Sequence, residues 1–211
     1  MSTLSKAELF QMVNHMAEVI IENEVPFCEL DAVAGDGDFG MSIAKGFKVL
    51  MAQWETLNRE SIGEFLADCS MVISENCGGA SGPIWGAGFK GASKATTGLQ
   101  SLTKAEFASM LESSAELIQK RGKANRGDKT LLDALLPCVD ALNAHKSEDI
   151  AFKAFLQAGA MAATEGAEAT KHMIASRGRA SYVGERSLEF PDAGAMALSI
   201  IFTAVSGQVL D

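Results

Sequence analysis

Apolar residues recur at spacings of three and four over almost the whole of this chain, and strict alternation is nearly absent. Leu9, Met12, Val13, Met16, Val19 and Ile20 set the pattern, which is one face of an amphipathic helix. Pro26 is expected to end that helix, because proline cannot continue one and biases Val25 toward extended geometry. Further helices are expected over 41–54, 62–74, 81–96, 103–120 and 129–144, then one long or two kinked helices over 148–176, and a last one from Asp192 to about Val209. Ser81 is read as an N-cap with Pro83 in the first turn, and Thr103 with Glu106 as a capping box. Val, Ile and Thr are not gathered into short runs bounded by turns. The fold class is therefore all-α, with about eight helices in one domain spanning 1–211 and no internal repeat or linker. Polar or Gly-rich breaks fall at 31–40, 122–128 and 178–191, and long loops in a compact helical protein usually carry function.

Charge narrows the partners. With 18 Lys+Arg against 27 Asp+Glu the net charge is -9, and the basic residues are scattered apart from a group between Lys120 and Lys129 and another from Lys171 to Arg186. That argues against nucleic acid, whose phosphates need clustered cations. Four cysteines, Cys28, Cys69, Cys77 and Cys138, form no C-x-x-C pair and have no His at zinc-ligand spacing, so they read as reduced thiols. The start MSTLSKAELF lacks a basic segment leading into an apolar run, and the expected location is cytoplasmic. The uncharged stretch 193–210 contains Ser199, Thr203, Ser206 and Gln208, and reads as a buried helix rather than a membrane span.

Four stretches carry candidate chemistry. In the first, Asp31, Asp36 and Asp38 lie within eight residues, interleaved with Gly35 and Gly37 and followed by Gly40. Their mutual repulsion is costly unless a cation sits among them, and Mg²⁺ is commonly held by a few carboxylates plus substrate phosphates. Asp and Gly are also the commonest turn residues, so a solvated turn fits equally well. An EF-hand does not fit, because Gly40 occupies a ligand position and no Glu follows at position twelve. The second stretch, CGGASGP at 77–83, exposes backbone N–H groups at a helix start, suited to an anion or to a tight helix–helix turn. Just beyond it, GAGFKG at 86–91 has the form G-x-G-x-x-G but no preceding strand, and reads as small residues permitting close helix packing. The third stretch joins Arg121-Gly122-Lys123 to Gly127-Asp128-Lys129-Thr130, and the fourth runs GRASYVGERS over 178–187. Each offers cations on flexible backbone, suited to phosphate or to a solvated surface. His15, His145 and His172 form no catalytic spacing with Ser or Cys.

In this order, with GDGD at 35–38, GGASGP at 78–83, GDKTLLDALLP at 127–137 and GRASYVGERS at 178–187, these stretches resemble the L subunits of bacterial dihydroxyacetone kinases. They also resemble the C-terminal nucleotide-binding domain of one-chain dihydroxyacetone kinases. The resemblance implies a barrel of eight antiparallel helices with a nucleotide at one end. It implies that Asp31, Asp36 and Asp38 bind two Mg²⁺ ions bridging the phosphates of ADP or ATP, with Arg179 holding phosphate. Phe39, Gly40, Met41, Ser42, Ala80, Ser81, Gly122, Leu131, Arg179, Asp192, Ala193 and Gly194 would line the nucleotide. Phe39 stands where many relatives have His, so a contact to phosphate or metal-bound water is lost or passes to backbone. Ala193 stands in the place of the family's Pro.

By the same resemblance, the ketose sits on a separate K subunit. In the phosphotransferase-linked version ADP stays bound and is recharged by an M subunit fed from phosphoenolpyruvate; in the one-chain version ATP exchanges. Other ketoses such as erythrulose, a nucleotide-loaded regulatory module, and a plain helical scaffold are the competing readings. The number of copies stays open, a homodimer being one arrangement.

Overall fold

The computed structural model describes residues 3–208, so the expected helix end at Val209 lies outside the described residues. Nine α-helices are present among them: α1 (Lys6–Glu22), α2 (Glu24–Ala32), α3 (Phe39–Ala52), α4 (Ile62–Asn76), α5 (Ser81–Ala95), α6 (Lys104–Gly122), α7 (Leu132–His145), α8 (Phe152–Ala169) and α9 (Ala193–Gln208). Each of α3 to α9 packs on the next, and α9 returns to α1, which packs on α3. Eight helices thus close into a ring of antiparallel neighbours, with short α2 set against α3 and α9.

The sequence expectation of about eight helices holds for this ring and misses α2. Pro26 does not end helical structure; it occupies the first turn of α2, where its missing N–H needs no partner. The break lies at Asn23, which caps α1 and precedes α2. Helix α5 starts at Ser81 itself with Ala80 as the cap residue, so Ser81 does not cap it. Helix α7 begins at Leu132 rather than Lys129, because Lys129 has a left-handed φ of 60°. The 148–176 segment resolves into α8 and a 3-10 turn at Thr170–His172, and a second 3-10 segment, Arg179–Ser187, lies within the expected loop. A two-stranded antiparallel ribbon, β1 (Thr3–Ser5) with β2 (Ser101–Thr103), was not foreseen, since three-residue strands are too short to show a period. Both strands run directly into capped helices: Ser5 with Glu8 and Thr103 with Glu106 form reciprocal capping boxes.

The interior is apolar and rich in Phe. Phe27, Phe47, Phe65, Phe152 and Phe155 are fully buried, and Phe107 meets Phe152 edge to face. A cavity of about 150 Å³ remains between the helices, bounded by residues such as Leu9, Met12, Trp85, Phe89 and Ile201. Among the described residues no helix is long and apolar enough to cross a membrane. Cys69, Cys77 and Cys138 are buried and Cys28 is half-buried, all as free thiols. Burial pushes Cys77 up to about 11 and Cys138 up to about 12. Cys69 goes up further still, with the charge of Asp68 adding to burial.

Helix α5 approaches its neighbours through glycine. A Cβ on Gly86 would collide with Ser74 of α4, and one on Gly91 would run into the Ser113 carbonyl and lie 2.7 Å from Ser114 Cα of α6. The obstacle at Gly91 is backbone, which cannot swing aside. We expect Gly91→Ala to cost about 1–3 kcal/mol, as overpacking does, and urea unfolding monitored by circular dichroism measures it. An unchanged midpoint would show that the α5–α6 spacing is not set at this residue.

Candidate functional site

An antiparallel ring places every second helix start at the same end. Here α3, α5, α7 and α9 begin together, and the contacts between them confirm it. The Gly78 amide, just before α5, donates to the Ser42 carbonyl in the first turn of α3 at 2.9 Å. Gly194 of α9 lies against Leu131 at the start of α7, and Gly122 at the end of α6 lies against Ile84 in the first turn of α5. Residues 39–42, 80–81, 122, 131 and 192–194 therefore occupy one end of the ring. Neither Asp38 nor Ala80 caps its helix with a side chain. Cys28 Sγ of α2 accepts the Met41 amide at 3.3 Å, and the amides of Phe39, Gly40 and Ala80 at the positive ends of α3 and α5 have no such acceptor.

The acid loop crosses this end. Asp31 belongs to the last turn of α2 rather than to the loop proper, and its Oδ2 accepts the amides of Gly37 at 2.9 Å and Asp38 at 3.2 Å. Those two bonds fold the chain back on itself. Gly37 can make the turn because it adopts a φ of 74°. As a result Asp31, Asp36 and Asp38 each offer a carboxylate oxygen within 4.8 Å of the others. Gly40 permits α3 to press on α2, since a Cβ there would meet the backbone of Glu24 and Cys28. Three hard oxygen donors on a backbone-braced loop suit a divalent cation such as Mg²⁺.

Arg179 reaches into the same place. Its Nη1 contacts the Asp36 carboxylate and lies 3.4 Å from Asp38 Oδ2. The 3-10 segment that carries it thus comes back over the acid loop from far along the chain.

Asp192 closes the site beneath. Its Oδ1 accepts the Ala195 amide at 2.8 Å, capping α9 as expected, and its own amide donates to Thr170 Oγ1 at 2.8 Å. Burial pushes its carboxyl up to about 7, against the Ala195 bond and Lys129, with the charges of Asp133 and Asp31 adding to the rise. Lys129 of the third stretch lies near Asp192 but is buried, with only 3% of its surface exposed, and Arg126, between the two parts of that stretch, pairs with Asp140 at 2.6 Å. Tyr182 is 88% exposed. Asp133 and Thr170 were missed as organisers. Asp133, fully buried, accepts the amides of Gly127 and Thr130 and so shapes the loop before α7.

Comparison with known proteins gives the family and the fold. Residues 33–207 match the DAK2 domain, and the chain belongs to the DAK2 domain family. It is 32% identical over 196 residues to the PEP-dependent dihydroxyacetone kinase ADP-binding subunit DhaL of Escherichia coli, covering 93% of each. It is 33% identical over 207 residues to the PEP-dependent dihydroxyacetone kinase 1 ADP-binding subunit DhaL of Listeria innocua, covering 96% of each. The fold is that of part of the dihydroxyacetone kinase of C. freundii in complex with AMP-PNP and Mg²⁺, with a TM-score of 0.73 and 24% identity, over 96% of this chain and 34% of that one.

The raised Asp192 carboxyl has a measurable consequence. Between the ordinary 3.8 and about 7, the folded chain holds a proton that the unfolded chain has released, so this group makes stability fall as pH rises through that window. Asp192→Asn keeps an acceptor for the Ala195 amide and removes the titration. Its stability relative to the parent should rise by on the order of 1–4 kcal/mol between about pH 4 and about pH 8. Denaturant titrations at the two pH values read this directly, and a difference independent of pH contradicts it.

Proposed function

We propose that this chain is the nucleotide- and magnesium-carrying subunit of a dihydroxyacetone kinase, acting as one L-type domain over 1–211. The observation that carries this reading is the convergence of Asp31, Asp36 and Asp38 within 4.8 Å, at the end where the helix starts of a DAK2-family ring gather. In this reading Asp31, Asp36 and Asp38 hold two Mg²⁺ ions. Residues 39–42 and 80–81 line the phosphates of ADP or ATP, with the amides of Phe39, Gly40 and Ala80 as the donors, since those of Met41, Ser42 and Ser81 are already engaged, while Gly122, Leu131 and 192–194 flank the rest of the nucleotide. The bound ions would supply positive charge to the phosphate oxygens, the term that dominates catalysis of phosphoryl transfer.

The chain's own residues do the positioning. Asp31, with Oδ2 already engaged by two amides, is the fixed ligand, whereas Asp36 is exposed and Asp38 half-buried. Arg179 adds a delocalised cation that can shift from carboxylate to phosphate oxygen without losing its charge. Phe39 offers no polar atom; it packs toward Phe27 at a ring separation of 6.0 Å, so the polar contact at that position falls to backbone amide.

The ketose is then held by a separate K-type subunit, and an M-type phosphocarrier fed from phosphoenolpyruvate restores the phosphoryl group. Support comes from the relatives named PEP-dependent ADP-binding subunits, matched over 93% and 96% of their own length. One observation favours a second reading, an ATP-exchanging kinase for another ketose: the L-erythrulose kinase of Pectobacterium atrosepticum is 31% identical over 92% of this chain, although the chain spans only 33% of that protein.

Asp36→Ala should leave the helical circular dichroism unchanged and weaken Mg·ADP binding at least about tenfold, some 1.4 kcal/mol, with loss of phosphoryl transfer in an assay completed with K and M subunits. Undiminished binding of Mg·ADP would remove the acid loop from the function. Release of about one ADP per chain from acid-denatured parent protein separates a retained nucleotide from an exchanging ATP.

A further inference from the structure

The loop over residues 173–190 brings Arg179 to the acid loop, yet it has almost no apolar anchorage. Of its side chains only Ala175 and Ser187 are buried, while Ile174, Tyr182 and Phe190 are exposed. Something other than hydrophobic burial must set its position.

Lys129 supplies that. Its ammonium donates to three backbone carbonyls of the loop: Met173 at 3.1 Å, Phe190 at 2.9 Å, and Ser187. An ammonium has three N–H donors and no acceptor, so this set satisfies it completely. The three carbonyls lie on either side of the Arg179–Ser187 segment, one before it, one at its end and one after it. Lys129 therefore ties the two feet of the loop together. It does so from a left-handed backbone conformation, φ 60°, which is unfavourable for a lysine and persists only where surrounding contacts require it.

The residue before it extends the clasp outward. The Asp128 carbonyl accepts the Ser176 amide at 3.2 Å, its carboxylate accepts Ser176 Oγ at 2.5 Å, and Arg177 Nε lies 3.6 Å from the same carboxylate. Inside the loop, Ser187 Oγ accepts the Ala175 amide at 3.0 Å and donates to the Gly184 carbonyl at 2.7 Å, so the feet are also bonded to each other. None of these bonds involves Asp31, Asp36, Asp38 or Arg179.

We infer that Lys129 is a positioning residue, which through the carbonyls of Met173, Ser187 and Phe190 holds the loop that presents Arg179 to nucleotide phosphate. The inference rests on the nucleotide-binding reading above and deepens it. Its chemistry is that of an internal ammonium bridging backbone carbonyls, distinct from direct phosphate contact, which the burial of Lys129 forbids.

Four proteins test it: parent, Lys129→Met, Arg179→Ala and the double variant, each titrated with Mg·ADP and examined by hydrogen exchange. Lys129→Met should weaken Mg·ADP at least tenfold and speed exchange of the 174–188 amides at least tenfold, with α4 and α5 unchanged. The double variant should bind no more weakly than Arg179→Ala alone, because Lys129 acts through that arginine. Multiplying losses, or a loop that stays protected in Lys129→Met, would overturn the inference. If Lys129→Met does not fold, Ser176→Ala loosens the exposed half of the clasp by removing the Ser176 hydroxyl bond to Asp128, with the backbone bond between the two residues kept. It should weaken binding severalfold in the parent and not at all in the Arg179→Ala background, and losses that multiply again count against the proposal. Parent-like binding by Arg179→Ala would remove that arginine from the phosphate and overturn the inference, whereas failure of the parent itself to bind Mg·ADP would defeat the nucleotide-binding reading, with the exchange rates still deciding whether Lys129 holds the loop.

Discussion

The packing of α9 on α1 closes eight helices into a ring, and the arrangement of the candidate site depends on that closure. In a closed antiparallel ring, helix starts must alternate between the two ends. The starts of α3, α5, α7 and α9 thus share one rim without any residue having to specify it. Backbone N–H groups left over at each start give that rim a positive character. A chain with a net charge of -9 in this way presents an anion-attracting surface made mostly of backbone, needing few cationic side chains.

Against that rim stands a loop of the opposite sign. Asp31, Asp36 and Asp38 are brought together by local bonds, the Gly37 and Asp38 amides turning toward Asp31. The two features complement each other: helix starts favour phosphate, and clustered carboxylates favour a divalent cation, so a nucleotide diphosphate with its metal satisfies both. Arg179 reaches the carboxylates of Asp36 and Asp38, and its guanidinium has the charge and the fork of donors to pair with phosphate as well.

Much of this was legible in the sequence because its signals are local. Period-3.6 apolar faces marked seven of the ring helices closely, Thr103 with Glu106 announced the start of α6, and Asp192 announced that of α9. The acid loop was visible as charge crowding, and the small residues of α5 as packing glycines. What stayed hidden depends on long-range contacts or on position within a helix. Pro26 looked like a terminator, because a proline in a first turn and one beyond a helix end look alike without knowing where the cap lies. Lys129 read as a cation suited either to phosphate or to a solvated surface, since nothing nearby in sequence reveals that three carbonyls more than forty residues away would enclose it. The convergence of residues 39–42, 80–81, 131 and 192–194 likewise follows from ring topology, which periodicity does not encode.

The same alternation has an architectural consequence at the opposite rim. Helix α1 begins there and α9 ends there, and Gln208 lies beside Phe10 and Gln11. A short bridge could join Lys6 to Gln208, and the chain could be reopened in the 146–151 connection at that same rim, yielding a circular permutant whose acid loop and Arg179 loop are both uncut. The start of α1 and the end of α9 thus both lie away from the face that carries Asp31, Asp36 and Asp38, leaving that face clear for whatever molecule must approach it.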